Sequence, residues 1–213
     1  MGLPATKLIQ PFTAKDYFTF AEQQEERYEY ANGQFVAMGT TSGPHNEIVL
    51  NFATTLKAQT RKKGCKVYAE SVALEVAQNG KYYLPDVMLT CDERDQEDRK
   101  LKRYPSVVIE VLSASSVKRD RGEKLQAYLK LASLQHYLLV SQDQIRVEIF
   151  SRGEAGIWQY QNLEGLEAVI HLTSPVLEIS LAELYEEVAL NSEEETSEEE
   201  TSEDSEVEDS ATP

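Results

Sequence analysis

Residues 83–92 read YLPDVMLTCD and residues 106–116 read SVVIEVLSASS. Each is an apolar, strand-like run with one carboxylate inside it, Asp86 in the first and Glu110 in the second. An ionised carboxylate is costly in apolar surroundings unless a positive charge compensates it. If the two runs pair antiparallel across the charged loop between them, with Cys91 opposite Pro105, Asp86 falls opposite Glu110. Directly opposed residues share one face of a sheet, with side chains about 5 Å apart. Like charges that close repel unless a cation lies between them, and paired carboxylates are hard oxygen ligands suited to Mg²⁺ or Mn²⁺. The structural alternative is an Arg or Lys partner, or exposure of one acid to solvent.

Outward from this pair the chain alternates helical and extended patterns. TAKDYFTFAEQQEER opens with Thr13 three residues before Asp16, a capping-box start for a helix. YEYANGQFVAM is two alternating runs joined by Asn32-Gly33, the pair favoured in tight hairpins. In SGPHNEIVLNFATTLKAQTRKKG, Pro44 suits a first helical turn, Ile48, Val49, Phe52 and Leu56 form a buried stripe, and Gly64 ends the helix. KVYAESVALEV reads as β, and Asn79-Gly80 turns the chain toward Asp86. After Glu110 come a helix, RDRGEKLQAYLKLAS, an apolar strand, HYLLVS, a further strand, IRVEIF, and a late capped helix, SLAELYEEV. The order predicts a mixed α/β domain.

The 213 residues carry a formal net charge of −16. Eleven of the acids lie in SEEETSEEETSEDSEVEDSATP, the last 22 residues, so the remainder is only mildly acidic at −5. A segment with so little apolar surface cannot offset the entropy of ordering, which predicts a folded domain over 1–190 and a disordered acidic tail over 191–213. Such a polyanion would screen an anion-binding site to which it is tethered; keeping the protein in solution is the simpler role. No run is long enough to span a bilayer, and MGLPATKLIQPF lacks the pattern of a secretory signal. Cys65 and Cys91 have no paired spacing, which predicts free thiols and a cytoplasmic protein.

Pro85-Asp86, a spacer and Glu110 in an apolar strand resemble the PD-(D/E)XK nuclease superfamily. The blocks YEYANGQFVAM, GPHNEI, LPDVMLTCD, VVIEVLSASS, DRGEKLQAYLKLASLQHYLLVSQD and RVEIF stand in the order found in the Uma-type endonuclease family of that superfamily, from about Phe12 to Arg152. The resemblance implies a restriction-endonuclease-like α/β fold, a mixed sheet core built helix-strand-strand-strand-helix-strand and flanked by helices. It further implies a Mg²⁺- or Mn²⁺-dependent endonuclease with Asp86 and Glu110 as metal ligands, DNA as partner, no membrane, and a homodimer as in other members.

The superfamily pattern wants a lysine two residues beyond the acid, where this chain has Leu112. An ammonium there orients the attacking water and offsets charge developing on phosphate. Lys124, on the buried stripe of the following helix, is the favoured substitute and Arg121 its rival. If neither serves, the chain is a nuclease-fold module for binding or assembly without catalysis. Glu29, between Tyr28 and Tyr30, matches a family acid near the metal or its water, and Glu70 is a weaker fourth acid. His45 starts a helix and could meet phosphate there or serve only the helical turn. The basic clusters TRKKGCK, RKLKR and KRDRGEK are candidates for backbone phosphate contacts.

Overall fold

The computed structural model describes residues 12–77 and 80–190. The N-terminal segment, Asn79 of the expected turn and the acidic tail lie outside the described residues. Helix α1 (Ala14–Ala21) begins with the expected capping box, in which Thr13 and Asp16 exchange side-chain-to-backbone bonds. Strands β1 (Arg27–Ala31) and β2 (Gln34–Met38) form the hairpin, with Asn32 at φ 53° and Gly33 at φ 82°, the left-handed pair its two-residue turn demands. Helix α2 (Gly43–Thr60) starts at Ser42, whose hydroxyl accepts the His45 N–H at 3.2 Å.

The stretch KVYAESVALEV divides into two strands, β3 (Lys66–Ala69) and β4 (Ala73–Ala77), which enter different sheets. The break falls at Glu70, whose backbone has φ 59°. Strand β5 (Lys81–Tyr83) precedes β6 (Val87–Thr90), and the charged loop holds a short helix α3 (Arg94–Glu97) and β7 (Leu101–Lys102). Strand β8 (Val107–Leu112) leads into one helical run: α4 (Val117–Arg119), a π-helical turn over Asp120–Lys124, and α5 (Leu125–Tyr128). Then come β9 (His136–Ser141), β10 (Arg146–Arg152), β11 (Trp158–Glu164), β12 (Val169–Thr173), β13 (Val176–Ser180) and α6 (Leu181–Leu184).

The main sheet has the order β11-β10-β9-β8-β6-β3. Strand β8 runs parallel to β9, and the helical run between them is the crossover that a parallel pair requires. The other ladders of this sheet are antiparallel. Thus α2, β3, β6, β8, the helical run and β9 give the helix-strand-strand-strand-helix-strand core. Both faces of the sheet are covered, which is why its strands read as continuous apolar runs. Ile48, Phe52 and Leu56 of α2 pack on Val87, Leu89, Val107 and Ile109. On the other face Tyr128 and Leu134 pack on Met88, Val108 and Leu139. Each such apolar side chain contributes roughly 1.5–3 kcal/mol.

A second sheet, β2-β1-β5-β4-β7, carries Glu29, and Tyr17 of α1 stacks on its Tyr82 with ring centroids 4.8 Å apart. Among the described residues no helix is long and apolar enough to cross a membrane. The expectation of free thiols is corrected: Cys65 and Cys91 form a disulfide. Lys66 pairs with Thr90 across β3 and β6, so the residues just outside that pair are brought face to face.

Candidate active site

The β6–β8 ladder sets Val87 against Ile109, Met88 against Val108 and Leu89 against Val107. One step further the same register sets Asp86 against Glu110, as the sequence suggested, and the Val111 N–H donates to Asp86 Oδ2 at 2.7 Å. Both acids line a cleft of about 470 Å³ with His45, Ser113, Arg119, Asp120 and Lys124. Asp86 sits where β6 begins, after Pro85, so its side chain stays partly open to the cleft. Glu110 lies inside β8 and is 2% exposed.

Lys124 comes up from the π-helical turn beneath Glu110. Its Nζ lies 2.9 Å from Glu110, 3.1 Å from Glu29 and 3.3 Å from Asp120. The turn closes through the Leu125 N–H on the Asp120 carbonyl, an i→i+5 bond, and presents Asp120 and Lys124 on the same side. Such turns recur at functional sites because the extra residue re-aims side chains. Leu112 packs in the apolar cluster around Tyr128, so the position where the superfamily has a lysine belongs to the core and the cation reaches Glu110 from the helix. Arg121 points elsewhere and pairs with Glu148.

Glu29 is fully buried. Its Oε1 accepts the Leu84 N–H at 2.9 Å and pairs with Lys124, while Oε2 pairs with Arg119. With both oxygens engaged it stands behind Lys124 and Arg119, fixing two cations. Glu70 lies outside the cleft lining, in a half-exposed ion pair with Arg27 at 4.0 Å. His45 is buried, with Nε2 3.3 Å from Asp86 Oδ2. Sequence reasoning named Arg119 only within the basic cluster KRDRGEK, not as a cleft residue, and gave Asp120 no role. Their clue was the RDR run itself, in which three adjacent charges cannot all face solvent once the helix docks.

Electrostatically the site is crowded. Burial pushes the Glu110 carboxyl well above the ordinary range, and Asp120, Asp86 and Glu29 add to that while Lys124 opposes it. Burial likewise raises Asp120, against the pull of Lys124. For Lys124 burial works downward, but Glu110, Glu29 and Asp120 outweigh it and hold the ammonium well above the usual lysine range. Lys124 is therefore a permanent cation, fit to orient and neutralise rather than to take a proton.

Four carboxyl groups stand against two cations, Lys124 and Arg119, and a bound divalent ion would favour the ionised form of the acids. No cluster of three or more His, Cys, Asp or Glu among the described residues forms a ready-made metal cage. Mg²⁺ does not need one, since it keeps several waters and takes one or two carboxylates. Glu110 receives its bonds from Lys124 and Tyr128 on Oε1, and Asp86 its contacts on Oδ2, so each keeps its second oxygen outside these bonds. The donor set fits such an ion.

The expected phosphate-contacting clusters are in part turned inward. Lys102 is buried and donates to the Asp95 carbonyl at 2.6 Å, and Arg103 pairs with Glu75. Arg121 and Lys124 of the third cluster are likewise held in ion pairs.

A crystal structure of a "putative nuclease belonging to DUF820" from Anabaena variabilis superposes with a TM-score of 0.68 at 17% identity, covering 82% of this chain and 98% of that one. At that identity the likeness shows the fold, which is restriction-endonuclease-like. Two Synechocystis proteins of undescribed role are similar in sequence. The first, slr1290, is 33% identical over 156 residues, 72% of this chain and 82% of its own length. The second, sll1609, is 28% identical over 175 residues, 81% of this chain and 97% of its own. Residues 14–183 match the model of the Uma2 family, described as "Putative restriction endonuclease", and with most of its length matched the chain belongs to that family.

Proposed function

We propose that the protein is a Mg²⁺- or Mn²⁺-dependent endonuclease that hydrolyses DNA phosphodiester bonds at the Asp86–Glu110 cleft. The observation that carries this reading is the lysine: a buried ammonium 2.9 Å from Glu110 supplies from the helix the cation missing at Leu112. Asp86 and Glu110 would hold the ion, which when bound polarises the phosphate and acidifies the attacking water. Lys124 stays protonated, so its work is to orient the nucleophile and stabilise charge growing on phosphate oxygens. To do so it exchanges one of its three carboxylate contacts for the substrate. Glu29 and Asp120 keep the ammonium in place during that exchange.

Nicking of supercoiled plasmid tests the reading. Wild-type protein should nick with Mg²⁺ or Mn²⁺ and stop on addition of EDTA, and Asp86→Ala and Glu110→Ala should both be inactive. Nicking that persists in either variant would defeat the assignment. DNA binding by the wild type with no nicking under any divalent ion would favour the non-catalytic module instead.

A further inference from the structure

Arg119 is tied down at one end only. Its Nη1 pairs with Glu29, and its Cζ lies 5.3 Å from the Tyr83 ring centroid. Its Nη2 is buried and makes no hydrogen bond among the described residues. A guanidinium held by a carboxylate for structural reasons alone normally closes the two-pronged fork on it. Here the fork cannot close, because Glu29 Oε1 already takes the Leu84 N–H and Lys124. The leftover arm is thus a product of the arrangement. A charged donor without a partner costs more than a neutral one, so it marks a place that a water or a ligand completes.

The chemistry of that ligand follows from where Arg119 lies. The residue lines the same cleft as Asp86 and Glu110, beside the Ser113–Ser116 loop. The Ser113 and Ser115 hydroxyls of that loop are 3.1 Å apart, and the loop is exposed at its tip. We propose that Arg119 is a substrate-anchoring residue: its guanidinium, part-exposed in the cleft, turns the unpaired Nη2 onto a non-bridging oxygen of a nucleic-acid backbone phosphate, while Glu29 holds the other arm. This rests on the endonuclease reading and adds to it the residue that holds the phosphate. Arg suits the task because one planar group serves Glu29 and a phosphate at once, which a lysine ammonium on a flexible stem does not. Holding the guanidinium before substrate arrives also lowers the ordering cost of binding.

The test is binding, read separately from cleavage. A fluorescein-labelled DNA duplex is titrated by anisotropy, with Ca²⁺ in place of Mg²⁺, against wild type, Arg119→Met and Arg119→Lys. Arg119→Met should weaken binding by about 10- to 100-fold, as loss of one charge-assisted bond implies. Its log Kd against log salt should lose about one unit of slope, a change that a purely structural role would not produce. Arg119→Lys keeps a cation for Glu29, and so guards against misfolding, but should still bind about 10-fold more weakly because it cannot hold both partners. Calorimetric Mg²⁺ affinity should be the same in all three.

Wild-type affinity in Arg119→Lys, or an unchanged salt slope in Arg119→Met, would overturn the proposal, as would Mg²⁺ affinity falling in step with DNA affinity. DNA binding that depends on Arg119 without any nicking would sustain the anchor and remove the endonuclease reading. Nicking with unaltered KM in Arg119→Lys would do the reverse. Absence of DNA binding by the wild type would remove both.

Discussion

Replacing Lys124 by Met keeps most of the side chain's length and removes its charge. The ammonium is 3% exposed and faces Glu110, Glu29 and Asp120 within 3.3 Å. Without it Arg119 is left as the one cation of the group, committed to Glu29. Removing one partner of a buried pair costs about 3–5 kcal/mol, because the remaining charge stays unpaired in a poor solvent. The cost is not fixed, since Glu110 and Asp120 already hold protons more tightly than ordinary carboxyls, for reasons of burial first. Losing Lys124 raises them further. A carboxyl raised in the folded state binds a proton that the unfolded chain releases, so the variant regains stability as pH falls through the folded value. The return is about 1.4 kcal/mol per pH unit per group until the unfolded carboxyl also protonates near about pH 4. Urea denaturation of wild type and Lys124→Met, at pH 8 and pH 5.5, measures it. The expected destabilisation is about 3–5 kcal/mol at pH 8 and smaller at pH 5.5. An equal deficit at both pH values, or none at pH 8, would refute the claim that this lysine compensates buried acids.

Arg121→Ala should leave nicking unchanged and cost about 0–1 kcal/mol of stability, since Arg121 meets Glu148 at the surface, whereas Lys124→Ala should abolish nicking; the opposite pattern in the plasmid assay would name the wrong cation. His136 is buried, accepts the Thr173 N–H on Nε2 at 3.1 Å and faces the Ser151 hydroxyl through Nδ1, and burial lowers its pKa to about 4. The unfolded chain therefore binds a proton between about pH 6.5 and pH 4 that the folded one refuses, and stability should fall about 1.4 kcal/mol per unit across that window. His136→Gln should remove that component from urea midpoints measured at pH 7.5, 6 and 5, and a profile unaltered by the substitution would speak against it. Opening the Cys65–Cys91 bond, which closes a loop of 26 residues, should cost about 3.5 kcal/mol. Intact mass with and without thiol alkylation, together with urea midpoints of Cys65→Ser, checks both the bond and its worth.

The parts legible in the sequence were those set by local rules. Alternation and the strand limits at Pro105 and Cys91 were enough to place Asp86 opposite Glu110. Thr13 with Asp16 marked α1, and Asn32-Gly33 marked the hairpin. What stayed hidden depends on distant chain segments. Nothing local says that Lys66 pairs with Thr90, and so that Cys65 meets Cys91. The single β pattern of residues 66–76 gave no hint that Glu70 sends its halves to two sheets. Around Lys124 the obstacle was helical arithmetic. Stepping 100° per residue puts Arg121 and Lys124 in one sector, but the i→i+5 turn carries an extra residue and turns Arg119 and Asp120 into the cleft instead. Lys102 reads as a surface cation in RKLKR, yet it is 1% exposed, because the loop around α3 wraps its carbonyls about it.

The catalysis proposed for the cleft turns on whether the opposed carboxylates bind a divalent ion. Calorimetric titration of Mn²⁺ into wild type, Asp86→Asn, Glu110→Gln and Lys124→Met asks this directly. At pH 8 the account predicts saturable binding in the wild type, its loss in Asp86→Asn and Glu110→Gln, and its retention in Lys124→Met, where removing a cation leaves the acids in place. Binding in the wild type that survives both acid substitutions, or no binding at all, would contradict it.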